Sequence, residues 1–474
     1  MNNYIIYNKI NTDLSHVIKT FIKKNKKKLI INSDGIDLEK EYTNYLYSKI
    51  SQSYVFKNFY FDLLNKNLKK RYILDSIESK EIFKEMLLYN KVKGIKIDIL
   101  SNYKIFATIK NIVFWILSII SLEKINKTTY KKYFCFCNHI KYKNFFYKLF
   151  DKKKMYISHI NYFLIFLKII FYGHLVKNEN KEIKKNKINF SYYQIHFIKK
   201  KFFEYELSKH KFKTIIYFEG DSADHALISE IGKKMGIKSL CVQWGGILWN
   251  IPKLPFQNLS CDYIFCWSKN YQKIFEKYNK KIKSFNVGNP FLYKKKKLRK
   301  KNIIFLFPQK SILFMGELRN KYFLLIKWFI KNYNHLIQIK CHPQELKKKG
   351  VFPKKNYIPT DKSLYEVLHN YSIIIGSTSS AMIEAARVGL IPIFFLPQKN
   401  CKHLWSETLN NINKINKINL LSENLDPLLK KISFMFEQDN NRKIIKIKKI
   451  LTKEISLIGK ESKIKLLKKI DSVI

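Results

Sequence analysis

Proline and glycine are spread so unevenly along this chain that its two halves call for different kinds of structure. No proline precedes Pro252, and ten of the fourteen glycines lie between Gly220 and Gly389. The first 210 residues therefore lack the breakers that punctuate tight strand-turn-helix alternation, and long helices with a few strands, such as 27–34 (KKLIINSD), are expected there. At 474 residues and 46% hydrophobic content the chain can bury two ordinary cores.

From Thr214 onward short apolar runs end in small or polar residues and are each followed by a helical stretch. TIIYFEG (214–220), SLCVQWGG (239–246), CDYIFCW (261–267) and SFNVGNP (284–290) read as the strands of one unit. NIIFLFP (302–308), LIQIKCHP (336–343), YSIIIGS (371–377) and IPIFFLP (391–397) read as those of a second, with helices near 317–333, 361–370 and 379–388. Such βαβ alternation implies parallel sheets with ligand loops at the carboxyl ends of the strands. The expected architecture is α/β, with two Rossmann-like domains facing a cleft and a helix-rich N-terminal part. An N-terminal domain spans 1–293 (helix-rich 1–210, Rossmann-like 211–293), a lysine-rich linker 294–301, a second Rossmann-like domain 302–426 and terminal helices 427–474. Those last helices either cover a sheet or return to the first domain.

The formal charge of +54 would ordinarily suggest a polyanionic partner. Only five of the 90 basic residues are arginine, however, and the guanidinium fork is what bidentate base and phosphate reading prefers. An Asn-, Ile-, Phe- and Tyr-rich composition of this kind also follows from an A+T-rich genome, so nucleic acid is not the expected partner. Seven cysteines without C-x-x-C spacing argue against a disulfide scaffold or zinc site and fit a reducing cytoplasm. The start of the chain lacks the basic-then-apolar layout of a secretory signal. The apolar run 112–122 is too short to span a bilayer, and 155–176 reads as amphipathic. Two readings of these lysine-flanked stretches stay open: buried helices of the first domain, or peripheral attachment to an anionic membrane surface.

The most specific segment is 371–395, a buried strand, a Gly-Ser-Thr-Ser-Ser turn, a helix and a second buried strand. Hydroxyls and unpaired N–H groups at a helix N-terminus attract phosphate, which makes Ser377, Thr378, Ser379 and Ser380 phosphate candidates. Glu384, on the same helix, is placed to accept ribose hydroxyls. The bland alternative is a serine that only caps the helix. His342 and Pro343 follow a strand directly, where a histidine faces the ligand crevice and can offset charge on a departing phosphate. Pro308, Gln309 and Lys310 are expected to line the same crevice. There is no D-x-D motif and no cluster at metal-ligand spacing, so no metal or other cofactor is expected to be required.

Residues 214–400 resemble the GT-B glycosyltransferases of bacterial capsule, lipopolysaccharide and sialic-acid-type chemistry, which share a His-Pro motif and a downstream Ser/Thr-rich motif. In the sialyltransferase-like members these motifs hold the CMP phosphate, and an acidic residue before a glycine in the other domain is the general base. The resemblance implies those roles for His342, for Ser379 with Ser380, and for Glu219 of FEGD (218–221), with a CMP-sugar donor. Phe218 stands where a paired acid is usual, which makes Asp221 the second candidate base. For both acids the plain alternative is a turn and helix-cap pair. Segments 235–246 and 262–291 are similar to surface-carbohydrate proteins carrying a Gln-His-Gly loop, then Asp-Tyr, then Gly-Asn-Pro. Here Trp244 replaces the histidine, leaving Gln243 and Gly245 to shape the acceptor side. The expected partners are a nucleotide-sugar and a glycan or lipid-linked acceptor. A CDP-glycerol-type polyol-phosphate transferase is the enzymatic alternative; a basic nucleic-acid-binding protein and a catalytically silent scaffold are the others.

Overall fold

Four helices, Asn3–Asn25, Glu39–Gln52, Tyr54–Leu64 and Ile77–Tyr89, dominate the first hundred residues. Leu14, Ile18, Phe21, Leu46, Phe59 and Phe83 share a core among them. Beside them lie an antiparallel pair, β1 (Asn32–Ser33) with β2 (Ile36–Asp37), and a parallel pair, β3 (Arg71–Leu74) with β4 (Lys96–Ile99). The strand expected over 27–34 is only β1, because Lys26–Lys28 winds into a 3-10 turn ahead of it. Buried Glu41 of the second helix lies against His196 of the later helix Phe190–Ser208, and the Lys40 ammonium donates to the Leu259 carbonyl at 2.8 Å. These links tie the helical part to the first sheet's flank.

The computed structural model describes residues 3–33, 35–64, 67–74, 76–99, 131–137, 142–159, 190–208, 210–245, 254–292, 302–306, 316–333, 336–341, 352–358, 364–376, 379–394, 411–412 and 441–474. The apolar run 112–122 and the linker 294–301 lie outside the described residues. Among those described, no helix is long and apolar enough to cross a membrane.

The first large sheet contains β5 (Tyr133–Cys137), β6 (Met155–His159), β7 (Thr214–Phe218), β8 (Lys238–Val242), β9 (Tyr263–Cys266) and β10 (Lys283–Asn286). Its order is β10-β9-β8-β7-β5-β6 and every pairing is parallel. Two of its strands come from the stretch read as helix-rich, so the sheet starts at Tyr133 and not after residue 210. Residues 155–159 of the stretch read as amphipathic are likewise strand. The reason is burial: β5 is buried at all five positions, and a strand covered on both faces shows no alternation to distinguish it from a buried helix.

The second sheet contains β11 (Ile303–Leu306), β12 (Ile337–Lys340), β13 (Ile373–Gly376) and β14 (Ile391–Phe394), in the order β12-β11-β13-β14 and again all parallel. The helix Gly316–Tyr333 packs Tyr322, Leu325 and Phe329 against it. The terminal helices divide between the units. Asn441–Leu451 lies along the helix Ser380–Val388 of the second, whereas Gly459–Val473 returns to the first, with Leu466 and Ile470 in its core and Lys132 bound to Asp471 at 2.7 Å. Two helix-covered parallel sheets thus lie against each other, with the terminal helices packed on both.

Candidate functional site

Both sheets reverse their winding between two adjacent strands, and in open parallel sheets the crevice at such a reversal is where ligands bind. In the first sheet the reversal lies between β5 and β7. Glu219 follows β7 there with φ +69°, one of two non-glycine residues in the left-handed region among those described. The Gly220 N–H donates to the Phe218 carbonyl at 2.9 Å across Glu219, closing the γ-turn of the rarer, strained hand. Such strain costs on the order of 1–3 kcal/mol and is found mostly at functional sites. Gly220 has φ +81°, and a Cβ there would lie 2.8 Å from the Cys241 sulfur. Neither acid serves as the helix cap. Ser222 does, its hydroxyl accepting from the His225 N–H at 3.1 Å. His225 is buried against Tyr217, with ring centroids 4.6 Å apart, and burial pushes its pKa down to about 3, which makes it a neutral structural residue.

The Tyr142 ring lies at the same crevice, with its buried hydroxyl directed at Glu219. Burial, followed by the charge of Glu219 and its hydrogen bond, holds that phenol well above its ordinary pKa, so it stays protonated. Asp221 is close enough to add to the same effect. Around them Trp244 packs with Tyr142, Phe145, Phe218, Phe291 and Tyr365, at centroid distances of 4.5–6.0 Å. Gln243 lies behind this surface. Its amide donates to the Gly245 carbonyl at 2.9 Å and accepts from the Trp267 N–H at 2.8 Å, which holds the loop bearing Trp244 and Gly245 in place.

In the second sheet the reversal falls between β11 and β13. Ser379 caps the helix Ser380–Val388, accepting from the Ala381 N–H at 3.3 Å. Glu384 is buried on that helix and accepts hydrogen bonds from the Tyr365 hydroxyl and from Ser380. Burial outweighs those bonds and pushes its pKa up to about 7. Tyr365 also faces Trp244 and Phe145 of the first unit, with Asn289 beside its hydroxyl. The two crevices meet here: a Cβ on Gly245 would lie 3.7 Å from the Ser380 hydroxyl oxygen.

The structure therefore brings Glu219, Asp221, Gly245 and Ser380 to one junction between the units, with Gln243 and the sealed Glu384 behind it and Ser379 at the helix start. Pro308, Gln309, Lys310, His342, Pro343, Ser377 and Thr378 lie outside the described residues. The strands leading to them are in register, Leu306 beside Lys340 and Phe305 beside Ile375. The strand ends that precede them therefore lie along one edge of the sheet, the outer two separated by two strand spacings, about 10 Å. Among the described residues no group of three His, Cys, Asp or Glu side chains is arranged to hold a metal. Sequence reasoning missed Tyr142 and Tyr365. Both are single aromatic residues in a chain with 30 tyrosines, and only the sheet order brings them to the junction.

No protein-family model matches the chain, and no curated protein matches it in sequence. Solved structures similar to it include a putative UDP-N-acetylglucosamine 2-epimerase from Listeria monocytogenes, 11% identical with a TM-score of 0.46, covering 73% of this chain and 97% of that one. MurG from Acinetobacter baumannii is 11% identical with a TM-score of 0.41, covering 72% and 99%. The wall teichoic acid polymerase TagF is 13% identical with a TM-score of 0.40, covering 78% and 97%. Likeness at this level carries no argument about chemistry, which has to come from the residues at the junction.

Proposed function

We propose that this protein is a metal-independent, inverting glycosyltransferase of the GT-B type. It moves a sugar from a nucleotide-activated donor, a CMP-sugar in the favoured form, to a surface-polysaccharide or lipid-linked glycan. The observation that carries the reading is a strained carboxylate at one sheet's winding reversal, beside a loop whose Gly245 meets the hydroxyl-capped helix start at the other's. A base beside the acceptor and hydrogen-bond donors beside the leaving phosphate are the two requirements of direct displacement at a sugar carbon.

In this reading Glu219, or Asp221 beside it, takes the acceptor hydroxyl proton as that oxygen attacks the anomeric carbon. The bond from that carbon to the phosphate oxygen breaks on the opposite face, and its electron pair stays with the nucleotide. Ser379, Ser380, the helix N-terminus and His342 offset the charge that develops, with Ser377, Thr378, Pro308, Gln309, Lys310 and Pro343 completing the nucleotide pocket. Work at the inner face of the membrane follows from the acceptor class, and the lysine-flanked stretches 112–122 and 160–176 are the segments to hold the protein there.

The test pairs binding with turnover. A panel of CMP-, UDP- and dTDP-sugars and CDP-glycerol should contain one nucleotide that raises the melting temperature, since a ligand bound only by the native state stabilises it. Glu219→Gln should keep that rise and lose about a thousandfold in transfer. Undiminished transfer by this variant would remove Glu219 from the chemistry. Protection by CDP-glycerol alone would favour polyol-phosphate transfer, and salt-sensitive nucleic-acid binding with no nucleotide response would end the reading.

A further inference from the structure

Tyr365 belongs to the second unit, on the short helix Leu364–Val367 ahead of β13, yet its ring packs into the first. It stands edge-on to Phe145 and Trp244, with centroids 5.9 and 6.0 Å apart and interplanar angles of 83° and 86°. Aromatic rings attract edge to face at such separations. Trp244 in turn meets Tyr142 at 5.1 Å, so the seat of Tyr365 lies one ring away from the phenol directed at Glu219. The Tyr365 hydroxyl is anchored within its own unit: it donates to a carboxylate oxygen of Glu384 on the helix Ser380–Val388. Desolvation, then the charge of Glu384 and its hydrogen bond, hold this phenol well above its ordinary pKa, so it stays protonated and remains a donor. Glu384 is 4% exposed and also accepts from Ser380 at the helix start.

From this we infer that Glu384 is a positioning residue and not a ribose ligand: its carboxyl anchors Tyr365, whose ring seats the nucleotide-side unit against the wall beside Glu219. The inference rests on the transferase reading and deepens it. Direct displacement needs a donor held by one unit and a base held by the other, and a misplacement of about 1 Å can cost on the order of a hundredfold in rate. A ring gripped on its edge by one unit and tied at its hydroxyl to the other fixes that alignment. A ribose hydroxyl would reach the same carboxyl only by entering a sealed site and competing with two donors already there.

Tyr365→Phe keeps the ring and removes the anchor. In transfer assays on the full chain kcat should fall about tenfold, the worth of one hydrogen bond to a carboxyl group, while donor and acceptor KM stay within about twofold. Glu384→Met removes the acceptor at similar volume and should lose as much, and adding Tyr365→Phe to it should cost nothing further. Unchanged kcat in Tyr365→Phe, a loss carried in KM instead, or full additivity of the two substitutions would each overturn the inference. Two measurements need no transfer, and they decide if Glu384→Met does not fold. Hydrogen exchange in Tyr365→Phe should speed up in the helix Lys143–Leu149, which carries Phe145, and stay unchanged in the helix Asn3–Asn25. Thermal shift with CDP, UDP and their 2′,3′-dideoxy counterparts should show the same ribose preference in the wild type and in Glu384→Gln. A preference that vanishes in that variant would make Glu384 a ribose ligand and sink the inference. If the wild type transfers no sugar, the transferase reading fails, while faster exchange with an unaltered ribose preference upholds the seat of Tyr365. If it transfers sugar and Tyr365→Phe alters neither kcat nor exchange, the reading stands and the inference falls.

Discussion

Glu219 and Glu384 are both carboxylates at the ends of sheet strands or the helices that follow them, yet their surroundings give them different work. Glu219 is half-buried, held in a strained turn and faced by a phenol that cannot ionise at neutral pH. Glu384 is sealed, and burial raises its pKa from 4.5 to about 7 despite the hydrogen bonds from Tyr365 and Ser380. Because the folded-state value lies above the unfolded one, the stabilisation from the protonated form is complete below about 4.5 and is lost as pH rises through about 7. Glu384→Gln, a permanent mimic of the neutral acid, should therefore melt close to the wild type at pH 4 and several degrees higher at pH 8. Parallel melting curves across that range would show that Glu384 keeps an ordinary pKa in the fold. The ribose-binding role expected for Glu384 requires a nucleotide to take the place of the Tyr365 hydroxyl.

At the scale of the element, the turn after β7 depends on Gly220 twice over. A side chain there meets both left-handed backbone strain and the Cys241 sulfur, with Leu259 at 3.1 Å. Gly35 has a similar φ of +75° but nothing within 4 Å of a Cβ. Gly220→Ala should thus cost about 2–4 kcal/mol and Gly35→Ala about 1–2, read from denaturation midpoints. Equal losses would mean that the packing beneath the turn is not tight. Punctuated elements such as β7, β13 and the helix Ser380–Val388 were legible in the sequence, because glycine, serine and an apolar run mark their ends. The run YFCFC was not, since continuous burial hides the two-residue period.

For the whole molecule, the segment 455–458 fastens the two units together. Arg387 of the second unit donates to the carbonyls of Ile455 and Ser456 at 2.9 and 3.2 Å. On the other side, the Ser456 N–H donates to the Trp267 carbonyl and the Asn289 N–H to the Leu457 carbonyl, at 2.9 and 2.8 Å. The Gly-Asn-Pro motif at 288–290 therefore serves as a landing site for this crossing: a Cβ on Gly288 would come 2.2 Å from the Leu457 carbonyl oxygen. Backbone cannot yield as a flexible side chain does, so Gly288→Ala should loosen the crossing. Hydrogen exchange should speed up through the helix Gly459–Val473 and stay unchanged in the helix Asn3–Asn25. Unchanged exchange in both would show that the crossing tolerates the methyl group.

The chain's residues by themselves determined where strands end in loops, which loops carry hydroxyls or acids, and that parallel sheets with ligand edges would result. Those properties are local, encoded by breakers, caps and apolar runs within a few residues of each other. Only the tertiary structure decided that β5 and β6 join the first sheet, that Tyr142 faces Glu219, that Tyr365 occupies Glu384 and that Trp244 meets Tyr365 of the other unit. Each of those is a pairing of residues far apart in the chain, fixed by strand order and burial, and no local pattern records which partner a buried side chain meets.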